Sequence, residues 1–177
     1  MRPVLLLSAA AATLATAACS PSTSPSFSQP EVIELLAAAP FSLGAEREQE
    51  FRAAFGNPWN TGYCCRGLRV ARTEAEWSAI WDTIVAPLSP PPTPPAVDFA
   101  SEMVVVALNG STPNGGYSIE IRHVARLRDT TFVVTAAVRP GRNCVVSQVV
   151  TADVDGLVVP RAPPPAILVM YDEVRRC

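Results

Sequence analysis

Short runs of β-prone residues separated by turn sequences fill the chain from residue 98 onward. The run EMVVVALN contains a continuous apolar stretch, which is typical of a central strand covered on both faces. The run YSIEIRHV alternates apolar and polar residues, as a half-buried strand does. The other runs are TTFVVTAAV (130–138), CVVSQVVTADV (144–154), GLVVP and AILVMYDEV. Because the turns between them are short, the pattern predicts antiparallel strands rather than parallel crossovers.

One amphipathic helix precedes these strands. Thr73 and Glu76 form the pattern of a capping box, and Pro87 is expected to stop the helix. Four large apolar residues recur at the spacing of one helical face, namely Trp77, Ile80, Trp81 and Ile84. We interpret this face as core. The fold class expected is mainly β (α+β): an antiparallel sheet or sandwich of about six strands with one amphipathic helix packed on it.

The remaining local signals are weaker. Ser28 and Glu31 fit a capping box ahead of VIELLAAA, which predicts a short helix near 29–39. YCCRGLRVA (63–71) predicts a strand, and the proline-rich residues 87–96 predict an extended polyproline II segment. Residues 40–62 combine mixed signals and support no prediction.

The N-terminus has the pattern of a targeting segment. Arg2 precedes the apolar, alanine-rich residues 4–18, which are too few to span a bilayer and suit a signal peptide. Small residues stand directly before Cys19, as in a bacterial lipobox, although Thr16 replaces the usual larger aliphatic residue. The alternative is ordinary signal cleavage after Ala17. We expect an exported lipoprotein, periplasm-facing or on the cell surface, with a lipid on Cys19 as its only membrane contact.

Composition and motifs offer little support for catalysis. The net charge of −2 and the pI of about 5.4 argue against binding of nucleic acid by electrostatics. The chain has one histidine, His123, and lacks the G-x-S-x-G, P-loop and dinucleotide motifs. A catalytic role for His123 would require it to lie beside Ser118 or an acidic group. The acidic pairs Asp153/Asp155 and Asp172/Glu173 are interpreted as solvated strand-edge charges. We therefore expect no enzyme activity, cofactor or metal.

The cysteines of the exported chain are expected to form disulfides. They are Cys64, Cys65, Cys144 and Cys177. A bridge between the two adjacent cysteines would be strained, so each is predicted to pair with one of the two distant cysteines. A soft-metal thiolate site at the adjacent pair is the alternative.

Four motifs in order resemble the C-terminal domain of the PrcB family, bacterial lipoproteins named for a subunit of a surface protease complex. The motifs are the tryptophan helix, a strand after VDF, the turn TPNGGYSI and the segment PGRNCVVSQ. Asn114, Asn143 and Ser147 depart from the family pattern. The matching residues are Glu76, Trp77, Trp81, Val97, Asp98, Phe99, Met103, Pro113, Gly115, Gly116, Tyr117, Ser118, Ile119, Pro140, Gly141, Cys144, Val146 and Gln148.

The resemblance covers residues 63–170 and implies an accessory or binding subunit, with a protease as one possible protein partner. The chain then divides into a signal peptide (1–18), a lipidated cysteine with a flexible Ser/Pro tether (19–28), an extension with a short helix (29–62) and a PrcB-like domain (63–177). Ser20 after the lipidated cysteine fits sorting to an outer membrane. A purely structural envelope protein is a further alternative.

A second resemblance concerns loops only. Chagasin-type inhibitors of cysteine proteases carry an N-P-T-T-G-Y loop between strands, and NPWNTGY (57–63) is similar with one residue inserted. The end of TPNGGY (112–117) is similar too. This resemblance implies that such a loop plugs a protease cleft.

Residues 112–117, here called the Gly-Gly turn, are the main candidate for partner contact. Two glycines permit positive φ and leave backbone amides unshielded, and a tyrosine hydroxyl at the start of a strand can bind the turn or a partner. An ordinary tight turn is the alternative. We expect a solvent-facing rim whose loss, by valine at both glycines, abolishes binding and leaves the melting temperature nearly unchanged. The candidate residues are Thr112, Pro113, Asn114, Gly115, Gly116 and Tyr117, with Asn57, Pro58 and Trp59 beside them.

Overall fold

A computed structural model describes residues 27–56 and 61–177. The signal peptide, Cys19 and nearly all of the tether lie outside the described residues. Within the described part, no helix is long and apolar enough to cross a membrane. The elements are α1 (Gln29–Ala37), α2 (Ala45–Phe55), β1 (Gly67–Ala71), α3 (Glu74–Val85), β2 (Glu102–Thr112), β3 (Ser118–Leu127), β4 (Thr130–Pro140), β5 (Thr151–Pro160) and β6 (Ala166–Arg175).

The strands form two three-stranded sheets, in the orders β1-β2-β5 and β3-β4-β6. Alternate residues of β2 point to opposite faces, so Met103 packs between the sheets while Val104 packs against the helices. Both faces of β2 are buried, which explains its continuous apolar sequence. The prediction of a mainly β fold with a covered central strand is confirmed.

Helices cover the outer faces of both sheets. α2 and α3 pack on the sheet of β1, β2 and β5, with Phe51, Phe55 and Trp77 in the shared core. α1 packs Val32 and Leu35 on the outer face of β4 and β6. The result is four layers, helix–sheet–sheet–helix, in which the loops that join the two sheets lie at the ends of the strands.

The tryptophans of α3 are core residues, as predicted. Trp77 and Trp81 are each 3% exposed. Their indole Nε1 groups donate hydrogen bonds to the carbonyl oxygens of Pro95 (3.1 Å) and Pro92 (2.9 Å). The proline-rich residues 87–96 have neither helix nor strand and are held against α3 by these bonds. The predicted capping box is present at the start of α1. At the start of α3, Thr73 caps the backbone N–H of Glu76 as predicted, but the Glu76 carboxylate accepts from the backbone N–H of Arg72 at 2.7 Å.

The prediction that all strands are antiparallel is wrong for β6. β6 pairs with β4 in the parallel direction, from Thr131 opposite Ala166 to Pro140 opposite Arg175. The reason is that β5 and β6 belong to different sheets, so the short connection between them crosses the sandwich instead of forming a hairpin. Of the consecutive strands, β1 pairs with β2 and β3 pairs with β4, whereas β4 and β5, like β5 and β6, lie in different sheets.

Two other predictions need correction. Residues 144–150 do not form the first half of a strand, and GLVVP continues β5 instead of forming a strand of its own. No neighbouring strand in the described chain pairs with 144–150, so its β propensity has no ladder to join.

α2 lies in the range that supported no prediction. Phe51 and Phe55, four residues apart before Gly56, are the signal that could have found it.

Candidate functional site

The Gly-Gly turn lies at one end of the sandwich, where it joins β2 of one sheet to β3 of the other. Pro113 and Gly115 are exposed, and Tyr117 is half-buried. Thr112 and Gly116 are buried, so the prediction that the whole turn faces solvent is wrong for these two residues. The solvent-facing part of the turn is therefore its tip.

Hydrogen bonds hold the turn from below. The hydroxyls of Thr112 and Thr151 lie 2.8 Å apart, and each is 3.4 Å from the carbonyl oxygen of Asn114. On the opposite side, the backbone N–H of Gly115 donates to the carbonyl oxygen of Ser147 at 3.0 Å. These contacts fix the backbone of the tip without covering it.

The two glycines of the turn are needed for close packing rather than for an unusual backbone conformation. Among the described glycines, the positive φ values belong to Gly44, Gly56 and Gly110. A Cβ on Gly116 would lie 2.5 Å from Cγ1 of Val146 and 2.8 Å from Cγ of Pro140, and one on Gly115 would overlap Oγ of Ser147. The expected role for positive φ is thus wrong, because the chain that follows β4 covers the glycines.

The segment that covers the glycines, residues 144–150, is here called the valine segment. It has neither helix, strand nor turn. Val145 is 102% exposed, Val149 52% and Val150 61%. Only Val146 among its valines is half-buried, because it packs over Gly116. The valine segment thus lies against the Gly-Gly turn, with Val146 beside Gly116 and Ser147 beside Gly115.

A disulfide joins Cys144 to Cys177, with a Cα–Cα distance of 5.3 Å. The predicted pairing of each of these cysteines with Cys64 or Cys65 is therefore wrong. Cys144 follows β4 and Cys177 follows β6, and parallel neighbouring strands end at the same edge of a sheet. The sulfur atoms of Cys64 and Cys65 are 3.1 Å apart, which is longer than a disulfide bond. No group of three or more potential ligand residues in the described chain could hold a metal ion.

Residues 57–60, which include Asn57, Pro58 and Trp59, lie outside the described residues. The chain just after them runs along this end of the sandwich. Thr61 donates from its backbone N–H and its hydroxyl to the carbonyl oxygen of Ala152, at 3.2 and 3.0 Å. The participation of Asn57, Pro58 and Trp59 in the site stays a prediction.

The acidic pair of β5 is not solvated as expected. Asp153 is 7% exposed and lies beside Thr151, whose hydroxyl is 3.5 Å from its Oδ2. Burial raises the pKa of Asp153 to about 6, and the weak contact with Thr151 opposes the rise. Asp155 binds Arg52 at 2.7 Å and accepts from the backbone N–H of Ile121 at 2.6 Å. It therefore links α2, β3 and β5.

The buried carboxyl of Asp153 predicts a pH-dependent stability. Because its pKa is raised in the folded state, its ionisation opposes folding, and stability is lost as the pH rises from about 4 to about 6. Asp153→Asn is expected to have nearly the wild-type free energy of unfolding at pH 4 and to exceed it by about 1–3 kcal/mol at pH 7. Urea unfolding at both pH values measures the difference. The exposed Asp172→Asn is the control, and a pH-independent difference for Asp153→Asn would contradict the burial effect.

His123 lines a pocket of about 450 Å³ together with Ser42, Glu48 and Arg52. The Ser42 hydroxyl donates to the Glu48 carboxylate, while Nε2 of His123 is buried without a partner among the described residues. Ser118 is in a neighbouring pocket and accepts a hydrogen bond from Arg175 at 3.2 Å. An acidic group thus shares the pocket of His123, but no hydrogen bond of the described chain links this histidine to a serine or a carboxylate as in a triad.

Comparison with protein families supports the resemblance noted in the sequence. The family model described as PrcB C-terminal matches residues 103–152, which hold nearly all of β2, the Gly-Gly turn, β3, β4 and the valine segment. The match confirms similarity to this family over less than half of the chain. No curated protein and no solved structure gave a match.

Proposed function

We propose that this PrcB-like protein is a non-catalytic binding subunit that contacts a protein partner through the tip of the Gly-Gly turn. The observation that supports it most directly is the rigid exposure of this tip. Pro113 and Gly115 face solvent while the backbone on both sides is fixed by hydrogen bonds to β5 and the valine segment. A surface whose geometry is already fixed loses little conformational entropy on binding.

Tyr117 supplies a polar group for such a contact. Its hydroxyl makes no hydrogen bond within the described chain, and its ring is half-buried at the start of β3. Tyrosines combine apolar area with a polar tip and are frequent anchors in protein interfaces. Of the two expected roles of this hydroxyl, a bond to the turn is not formed, which leaves the hydroxyl for a partner.

The name of the matched family suggests a protease as the partner. The test is capture from envelope extract with immobilised protein, followed by identification and a protease assay of the captured material. We expect a captured protease, and about a five-fold or larger loss of affinity with Tyr117→Phe, since removal of one interfacial hydroxyl that leaves its partner unsatisfied costs about 1–3 kcal/mol.

Tyr171→Phe is the matched control for this experiment. Tyr171 lies on β6 and packs with α1 on another face of the protein, so its hydroxyl is not part of the proposed contact. Both variants should unfold at the wild-type temperature. Capture that is unchanged by Tyr117→Phe, or equally reduced by Tyr171→Phe, would contradict the proposed contact.

The alternative function, inhibition of a protease, uses the same Gly-Gly turn. The capture experiment distinguishes it from the function of an accessory subunit. The Gly-Gly turn joins the two sheets at the end of a sandwich, a position from which a loop can enter a cleft. A captured protease that remains active supports the accessory subunit, and one that is silenced supports the inhibitor.

Labelling of Ser42 by a fluorophosphonate probe, with loss of labelling in His123→Ala, would contradict the non-catalytic proposal.

The proposal also places the protein at the cell envelope, held by a lipid on Cys19. Its support is the sequence of residues 1–28, nearly all of which lie outside the described residues. Detergent-phase partitioning of the wild type and Cys19→Ala tests it. The anchor requires the wild type in the detergent phase and the variant in the aqueous phase; both proteins in the aqueous phase would contradict it.

A further inference from the structure

The valine segment has the composition of a strand but no strand partner. It contains four valines and no charged residue, proline or glycine. Valine favours extended backbone and packs well across a ladder. In this structure Val145, Val149 and Val150 are instead exposed. An exposed segment of this kind is a template for pairing with another extended chain.

The contacts of the valine segment leave one backbone edge open. The carbonyl oxygen of Ser147 is turned inward, because it accepts from Gly115. In an extended chain, successive residues direct their backbone groups to alternate edges, so an extended valine segment with Ser147 turned inward presents the backbone groups of Val146 and Gln148 outward. Within the described chain, no backbone N–H of residues 145–149 donates a hydrogen bond. The carbonyl oxygen of Val146 accepts a hydrogen bond from Nε2 of Gln148 at 3.4 Å, a contact within the segment that an incoming strand can replace. The disulfide at Cys144 and the bond from Gly115 hold the segment in place while the backbone N–H groups of this edge stay unpaired within the described chain.

Four arginines surround the valine segment. Arg139 and Arg142 precede it, and the disulfide brings the chain end with Arg175 and Arg176 beside it. All four are exposed, and none forms a salt bridge within the described chain. The valine segment is thus uncharged and rich in valine, and it is flanked by positively charged residues.

We propose that the valine segment binds an extended partner segment by β-strand addition, and that this segment has an apolar, β-branched centre flanked by acidic residues. The unpaired edge supplies the ladder, and the arginines select the charge of the flanks. A second copy of this chain fits less well, because it would bring four further arginines to the same edge. The inference rests on the proposed binding function and names the chemistry of the partner.

Two synthetic peptides test the proposal with the full protein. One is acetyl-Asp-Glu-Val-Thr-Val-Thr-Val-Glu-Asp-amide, and the other carries lysine at its four acidic positions. The acidic peptide is expected to bind about ten-fold more tightly in isothermal titration calorimetry, with an affinity that falls as salt is added. Hydrogen exchange of the complex is expected to show new protection at the amides of Val146 and Gln148. Equal binding of the two peptides, or binding without this protection, would overturn the proposal.

Charge reversal of arginines beside the valine segment tests where the acidic peptide binds. Arg142→Glu with Arg176→Glu is expected to weaken binding of the acidic peptide about ten-fold, whereas Arg128→Glu should not change it. Arg128 is the matched control because it lies in the β3–β4 turn, at the other end of the same sheet. A dimer of the free protein that the peptide dissociates would assign the edge to a second copy and overturn the proposal. Absence of peptide binding would overturn this inference alone, because protease capture is scored separately with Tyr117→Phe.

Discussion

Replacing both Gly115 and Gly116 by valine is expected to lower the free energy of unfolding by about 2–4 kcal/mol. A side chain on Gly116 would meet Val146 and Pro140, and one on Gly115 would meet Ser147. Either the valine segment must move away or the turn must distort, and both changes remove packing and the bond from Gly115 to Ser147. This result is the opposite of the unchanged melting temperature that the sequence alone suggested.

Urea unfolding of the double variant measures the effect, with Pro113→Ala as the control. Pro113 is exposed at the tip of the same turn, so its replacement should change the free energy of unfolding by no more than about 1 kcal/mol. A double variant as stable as the wild type would show that the valine segment does not cover the glycines. Loss of partner binding in a destabilised double variant would not identify a contact, which is why Tyr117→Phe is the better probe.

Replacing Trp77 by alanine is expected to cost about 3–5 kcal/mol of stability, the range for large aromatic residues in cores. Its ring centroid lies 5.4 Å from that of Trp81, 6.1 Å from that of Phe51 and 6.4 Å from that of Phe55. Its indole also holds the proline-rich segment through Pro95. The alanine variant therefore leaves a cavity between α2 and α3 and releases the connection to β2 at Pro95.

Two controls separate these contributions to stability. Trp77→Phe keeps an aromatic ring but removes the hydrogen bond to Pro95, which should cost about 1–3 kcal/mol because a buried acceptor loses its partner. Leu88→Ala, at a residue that is 46% exposed, should cost less than about 1 kcal/mol. Urea unfolding of all three variants measures them. An effect of Trp77→Ala no larger than that of Leu88→Ala would contradict the buried aromatic cluster.

The elements that could be predicted from sequence are those whose signal is local. α3 carries its capping residues and its buried face within a single run of residues, and β2 carries the apolar pattern of a covered strand. The family resemblance likewise depended on short motifs in order, and the matched region contains the last two of them and the end of the second. In each case, residues close in sequence interact with one another or with the same layer.

The relations that could not be predicted join residues distant in sequence. The disulfide between Cys144 and Cys177 follows from the parallel pairing of β4 with β6. No local sequence pattern predicts this pairing. The burial of Asp153 depends on the pairing of β5 with β2, which places it opposite Gly110, 43 residues earlier in the chain.

The Gly-Gly turn illustrates this division within one motif. Its sequence alone determined that the chain turns there and that a strand follows, since proline, asparagine and glycine favour turns and the next residues alternate. Only the tertiary structure decided which side of the turn meets solvent. The chain that returns after β4 is tied by a disulfide and packs over the glycines, so the tip stays exposed while Thr112 and Gly116 are buried. Solvent exposure depends on every segment that passes nearby, and that information is not contained in the turn itself.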